Sequence, residues 1–116
     1  MKYTIYMLKD TERNARKRFM RYAWAEKQGG VTFDDYEPVY SGEVIMSGSI
    51  AGVLDGLYAI HNRGYHKDTD GRILPRSMSV SDVIEIEGQG AWYCEPLGWK
   101  KLNMKAWCKP QQEEGE

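Results

Sequence analysis

Five of the six cations between residues 13 and 27 group with one indole: Arg13, Arg16, Lys17, Arg21 and Lys27, with Trp24. Projected at about 100° per residue, they share one arc of a helix, with Met20 among them and Trp24 close to Lys17 and Arg21. Ala15, Phe19, Tyr22 and Ala23 fall on the opposite arc and form its expected core stripe. Guanidinium and ammonium groups neutralise phosphates, and an exposed indole is a platform on which bases stack. The same combination suits an acidic protein surface, because Trp and Arg dominate interface energetics. The plain alternative is a solvated face with Trp24 covered by a loop. Glu26 falls inside the apolar arc, a sign that the helix ends early or that its phase is shifted.

Other reactive residue types are present in the wrong arrangements. Asp68-Thr69-Asp70-Gly71 resembles part of a calcium loop, but His66 and Ser77 stand where an EF-hand needs an oxygen ligand and a glutamate. The segment reads better as a turn. His61 and His66 are five apart, the wrong spacing for one helix face, and Cys94 and Cys108 make no CxxC pair, so zinc is not expected. Ser77, Ser79 and Ser81 are not set in a nucleophile elbow. Ser81-Asp82, just before Val83, reads as side chains bonding local backbone amides at the start of a strand. A P-loop and a dinucleotide fingerprint are missing, and Gly88-Gln89-Gly90 belongs to a hairpin. The expectation is a chain with no catalytic residue, no metal ligand and no cofactor.

The elements that must position the basic face follow from length and pattern. A chain of 116 residues suits one domain. With 41% hydrophobic residues and a mean hydropathy of −0.65, it can bury a core and carries no membrane-spanning run. The N-terminus lacks a signal-peptide pattern, so the expected compartment is the cytoplasm, where both cysteines stay reduced. Cys94 reads as a small buried apolar residue. Net charge is −1, unevenly spread. Residues 1–30 balance at +5, residues 31–60 at −5 and residues 61–116 at −1. Such asymmetry points to a charged partner unless folding intermixes the two segments.

Lys2 to Leu8 alternates as a first strand, with Tyr3, Ile5 and Met7 on its core side. A helix follows over 13–27 and stops at Gly29-Gly30. Pro38 bars a helix nearby, and Val39 to Ser47 reads as a second strand with a bulge expected at Gly42. Ser47 or Ser49 caps a helix from Ile50 to about Asn62, whose apolar residues recur with a period near 3.6. The run 77–102 is a meander of three short strands. Alternation sends Trp92 and Tyr93 to opposite faces, one in the core and the other under a helix or open for stacking. The predicted architecture is α+β: a small, mainly antiparallel sheet in the order β-α-β-α-β-β-β with two helices on one face. It occupies residues 1–109, and residues 110–116 form a disordered acidic tail.

Ser79-Val80-Ser81-Asp82-Val83-Ile84, then Trp92-Tyr93, then Leu97-Gly98-Trp99 and Leu102, resemble the YodL-like domain, whose members show an "SLSVSDV" motif, a hairpin, an aromatic pair and a "GF" before the last strand. Met78 replaces the usual Leu, and Trp99 stands where Phe is common. The opening Tyr3-Thr4-Ile5-Tyr6 with Leu8-Lys9-Asp10 is similar to the family's "YTIYQLK", and so is Arg18-Phe19 followed by Tyr22. The resemblance is scattered over residues 1–102, leaving out the loop 64–72 and the end of the chain. It implies a small protein of conjugative or other mobile elements, without catalytic residues, in a group similar to some anti-CRISPR inhibitors of Cas9-type nucleases. The expected partner is then a Cas effector, as protein or guide-RNA complex, bound stoichiometrically through Arg13, Arg16, Lys17, Arg21, Trp24 and Lys27. The alternative is a small nucleic-acid-binding accessory module of a conjugative element using the same residues.

Overall fold

The computed structural model describes residues 1–45, 48–64, 67–68, 70–105 and 107. Strand β1 (Lys2–Leu8) leads through a 3-10 turn at Arg13–Arg16 into a short helix α1 (Tyr22–Lys27). A second 3-10 turn (Phe33–Asp35) precedes β2 (Tyr36–Glu43), and helix α2 (Ile50–His61) follows. The meander β3 (Val83–Ile86), β4 (Gly90–Cys94) and β5 (Trp99–Lys101) completes one five-stranded sheet in the order β2-β1-β3-β4-β5. Every pairing in it is antiparallel. The α+β class and the order of elements are those read from the pattern.

The layering differs from the one-faced arrangement expected. Tyr3, Ile5, Ile84, Ile86 and Trp92 pack with Val53, Leu54 and Leu57 of α2. Tyr6, Leu8, Val83, Ala91 and Tyr93 point the other way and pack with Ala25 of α1, Val31, Tyr36, Leu102 and Trp107. Side chains alternate across a strand, so burial of both sets puts the two helices on opposite faces. Both members of the Trp92-Tyr93 pair are therefore core. Trp107 completes the second face, 1% exposed, with its indole edge-on to Tyr6, Phe33 and Tyr36. The tail expected from residue 110 lies outside the described residues.

The N-cap of α2 is Ser49, whose side chain accepts a hydrogen bond from the Gly52 amide at 3.1 Å. The bulge in β2 falls at Val39, not Gly42, because Ile5 pairs with Tyr40 and Tyr6 with Pro38. Pro38 is tolerated there because β2 is an edge strand. Gly42 serves close approach instead: a Cβ there would meet the Tyr3 phenol oxygen at 2.9 Å. The Glu87–Gly90 turn between β3 and β4 uses left-handed backbone at Gly88 (φ 81°).

Candidate partner-binding site

Residues 13–27 do not form one helix. The chain leaves the 3-10 turn at Lys17, takes left-handed backbone at Phe19 (φ 66°), is extended at Arg21 (φ −62°, ψ 158°) and only then enters α1. Tertiary hydrogen bonds hold this link. The Phe19 amide donates to Ser81 Oγ at 3.0 Å, the Tyr93 hydroxyl donates to the Met20 carbonyl, and the Tyr22 amide donates to Glu95 Oε1 at 2.8 Å. Their partners sit just before β3, in β4 and just after β4, far away in sequence.

The break reassigns the two helical arcs. Lys17 is 1% exposed rather than on a basic face. Its ammonium donates to Asp35 Oδ2 at 2.8 Å and to the Gly30 carbonyl at 2.9 Å. Arg13 turns toward the same carboxylate, with Nε 3.3 Å from Asp35 Oδ1, and Thr32 donates to it at 3.0 Å. Burial raises the Asp35 pKa, but the hydrogen bonds from Lys17 and Thr32 and the charges of Lys17 and Arg13 outweigh it and hold the carboxyl below its ordinary value. Part of the positive balance of residues 1–30 is thus spent inside the fold on an acid from the negative segment. Of the expected core stripe, Tyr22 packs half-buried against the core beside Tyr93, while Ala15, Phe19 and Ala23 are exposed and Asn14 and Ala25 are buried instead.

Arg13, 59% exposed despite its contact with Asp35, and the remaining predicted residues stay at the surface. Arg16 is exposed on the 3-10 turn, and Arg21, Trp24 and Lys27 line a groove of about 540 Å³ with Phe19, Met20 and Pro96. Phe19 is 51% and Trp24 46% exposed, and Leu97, next to Pro96 in the β4–β5 turn, is 94% exposed. The structure therefore joins Met20, Arg21, Trp24 and Lys27, which helical projection places on one arc, with Phe19, which it assigns to the core stripe, and with Pro96 from the β4–β5 turn. The misplaced Glu26 was the one sign in the sequence of this shift; its carboxylate accepts from the Val31 amide at 3.2 Å beyond the helix end.

Of the Ser81-Asp82 pair before β3, Asp82 has the local backbone role expected of it, whereas Ser81 Oγ accepts from the distant Phe19 amide. Asp82, with no exposed side-chain surface, accepts from the Ser79 amide at 2.7 Å and takes a two-point contact from Arg76 at 2.6 and 2.9 Å. Burial pushes its carboxyl above the ordinary value, against the pull of Arg76 and the Ser79 amide. Ser81 is fully buried, and its carbonyl accepts from the Tyr36 hydroxyl at 2.7 Å. The Arg76 guanidinium also lies 5.0 Å above the Phe19 ring, tying this run to the groove. Asp68 is likewise committed internally: it accepts from the Asp70 and Arg72 amides at 3.0 and 2.7 Å and pairs with Arg72 Nε at 3.1 Å, as a turn brace does. Among the described residues no group of three His, Cys, Asp or Glu is placed to hold a metal ion, and no helix is long and apolar enough to cross a membrane.

A family model for the YodL-like domain matches residues 2–104. The chain belongs to the YodL-like domain family. The match takes in all five strands, both helices and the loop 64–72, and it ends three residues before Trp107. The motif residues that carry the resemblance are largely interior in this YodL-like domain: Tyr3, Ile5, Tyr6, Ser81, Asp82, Trp92, Tyr93 and Leu102 are all buried. The groove residues Met20, Trp24 and Lys27 lie outside those motifs. No curated protein and no solved structure matches the chain.

Proposed function

We propose that this YodL-like domain is a non-enzymatic binding protein of a mobile genetic element, most specifically an inhibitor of a Cas9-like effector that acts in the cytoplasm by stoichiometric binding. The observation that carries the binding reading is the groove: Phe19, Met20, Trp24 and Pro96 beside Arg21 and Lys27, with Trp24 46% exposed. Exposed aromatic and Arg side chains gathered in one place are the usual energetic centre of a protein interface. The effector is the specific partner that the family resemblance implies, and it offers acidic surfaces to the cations and nucleic-acid channels beside them. Purified chain incubated with a panel of Cas9-type effectors is expected to form a stable complex and to block DNA cleavage at one-to-one ratio. Inhibition at substoichiometric ratio, with turnover, would replace this reading with an enzymatic one.

A second reading, a nucleic-acid-binding accessory module of a conjugative element, draws on Arg16, Arg21 and Lys27 around the same indole. It expects salt-sensitive binding to DNA or RNA with no protein partner. Reversing Arg21 and Lys27 together is the right test, because Lys17 is interior and its reversal would report on folding. Nucleic-acid affinity unchanged by that double reversal removes the second reading.

A further inference from the structure

Among the described residues, two other than glycine hold left-handed backbone, Phe19 (φ 66°) and Ser81 (φ 85°), and they meet: the Phe19 amide donates to Ser81 Oγ at 3.0 Å. L side chains adopt this region seldom, and a folded chain keeps such residues only where surrounding contacts over-determine them. Here the contacts are plain. The Ser81 amide donates to the Cys94 carbonyl, the Ser81 carbonyl accepts from Tyr36, and the next residue, Asp82, is clamped by Arg76. What they achieve is to turn a phenyl ring outward. Phe19 is 51% exposed although a helix continued through it would have placed it against the core, and Arg76 lies against one of its faces.

Resting on the binding reading above, we propose that Phe19 is the anchor of a docking groove for an acidic peptide segment bearing apolar side chains, held out by the paired left-handed residues. The groove lining carries two cations, Arg21 and Lys27, and no carboxylate, which selects acidic occupants. Phe19, Met20, Trp24 and Pro96 supply apolar contact, which selects occupants with hydrophobic anchors. The lining is a shallow depression of about 540 Å³ that runs from Phe19, Met20 and Arg21 before α1 along Ala23, Trp24 and Lys27 of α1 to Pro96 of the β4–β5 turn.

The test uses the whole chain as bait for a random-peptide display library, with Phe19→Asn and Trp24→Ala beside the wild type. Enrichment of acidic peptides with apolar side chains is expected, and each variant should weaken the selected peptides about tenfold or more. Asn tolerates left-handed backbone, so the urea midpoint of Phe19→Asn should stay at or above that of the wild type while binding is lost. A lower midpoint would mean that Phe19 is kept for stability, and the anchor role falls. Enrichment of basic peptides or of none, or binding that Phe19→Asn leaves intact, also overturns the proposal. So does Phe19-dependent capture by phosphatidylglycerol vesicles without peptide enrichment. Effector inhibition without acidic-peptide enrichment defeats this proposal and leaves the inhibitor reading standing; enrichment without inhibition does the reverse.

Discussion

Lys17 and Asp35 offer the most direct test of how the basic segment is used. Asp35→Ala strands an ammonium that is 1% exposed, leaving it only the Gly30 carbonyl, and takes a partner from Arg13 and Thr32. Breaking a buried pair from one side costs about 4 kcal/mol. Lys17→Met fills similar space and leaves Asp35 bonded to Arg13 and Thr32, so its cost is about 2 kcal/mol, that of a lost charged hydrogen bond. The double variant removes both charges together and should cost about 3 kcal/mol, so the pair is coupled by roughly 3 kcal/mol. Urea unfolding reads this directly: at a slope of about 2 kcal/mol per molar, Asp35→Ala lowers the midpoint by about 2 M. Additivity of the two single changes within about 0.5 kcal/mol would refute the pair and return Lys17 to the surface face of a continuous helix.

Three further outcomes follow from the same geometry. The folded pKa of Asp35 is depressed, so its contribution is fully present above the unfolded value of about 3.9 and is lost as pH falls through the folded value. The midpoint gap between wild type and Asp35→Ala should therefore shrink as urea titrations move from about pH 6 to about pH 2, and a gap that widens in acid contradicts the sign. Gly42→Ala should cost about 1–3 kcal/mol, because its Cβ meets the Tyr3 phenol at 2.9–3.1 Å, and Tyr3→Phe in the same chain should recover part of that loss. Simple addition of the two costs would argue against the clash. Burial, with Asp82 and Glu95 adding to it, pushes the Cys94 thiol up to about 12, so native protein should resist iodoacetamide at that residue. Peptide-resolved mass spectrometry checks this, and labelling at the rate of a free thiol without denaturant would be inconsistent with the buried site.

Local signals carried much of the fold. β1 is legible because Tyr3, Ile5 and Met7 alternate with their neighbours, α2 because its apolar residues recur at helical spacing behind a serine cap, and the meander because Gly88 and Gly90 separate two β-rich runs. Each is set by interactions within a few residues, which sequence pattern reports directly. The candidate site was legible only in part. Met20, Arg21, Trp24 and Lys27 are surface residues as expected, but Phe19 beside them was assigned to the core by a helical phase that the chain abandons at Lys17.

What the sequence determined by itself was the inventory: α+β order, strand alternation, the cap of α2, the turns and the family motifs. Tertiary structure alone decided which cations remain free to bind. Helix 13–27 has adequate local propensity, yet a buried carboxylate from residue 35, a hydroxyl from Ser81 and a phenol from Tyr93 offer its backbone and Lys17 better partners than another helical turn. Those partners lie 18 to 73 residues away in the chain, and only the closed sheet brings them within bonding distance. The same closure buries both faces of the sheet, sends the helices to opposite sides and leaves Phe19, Trp24, Arg21 and Lys27 together in one groove.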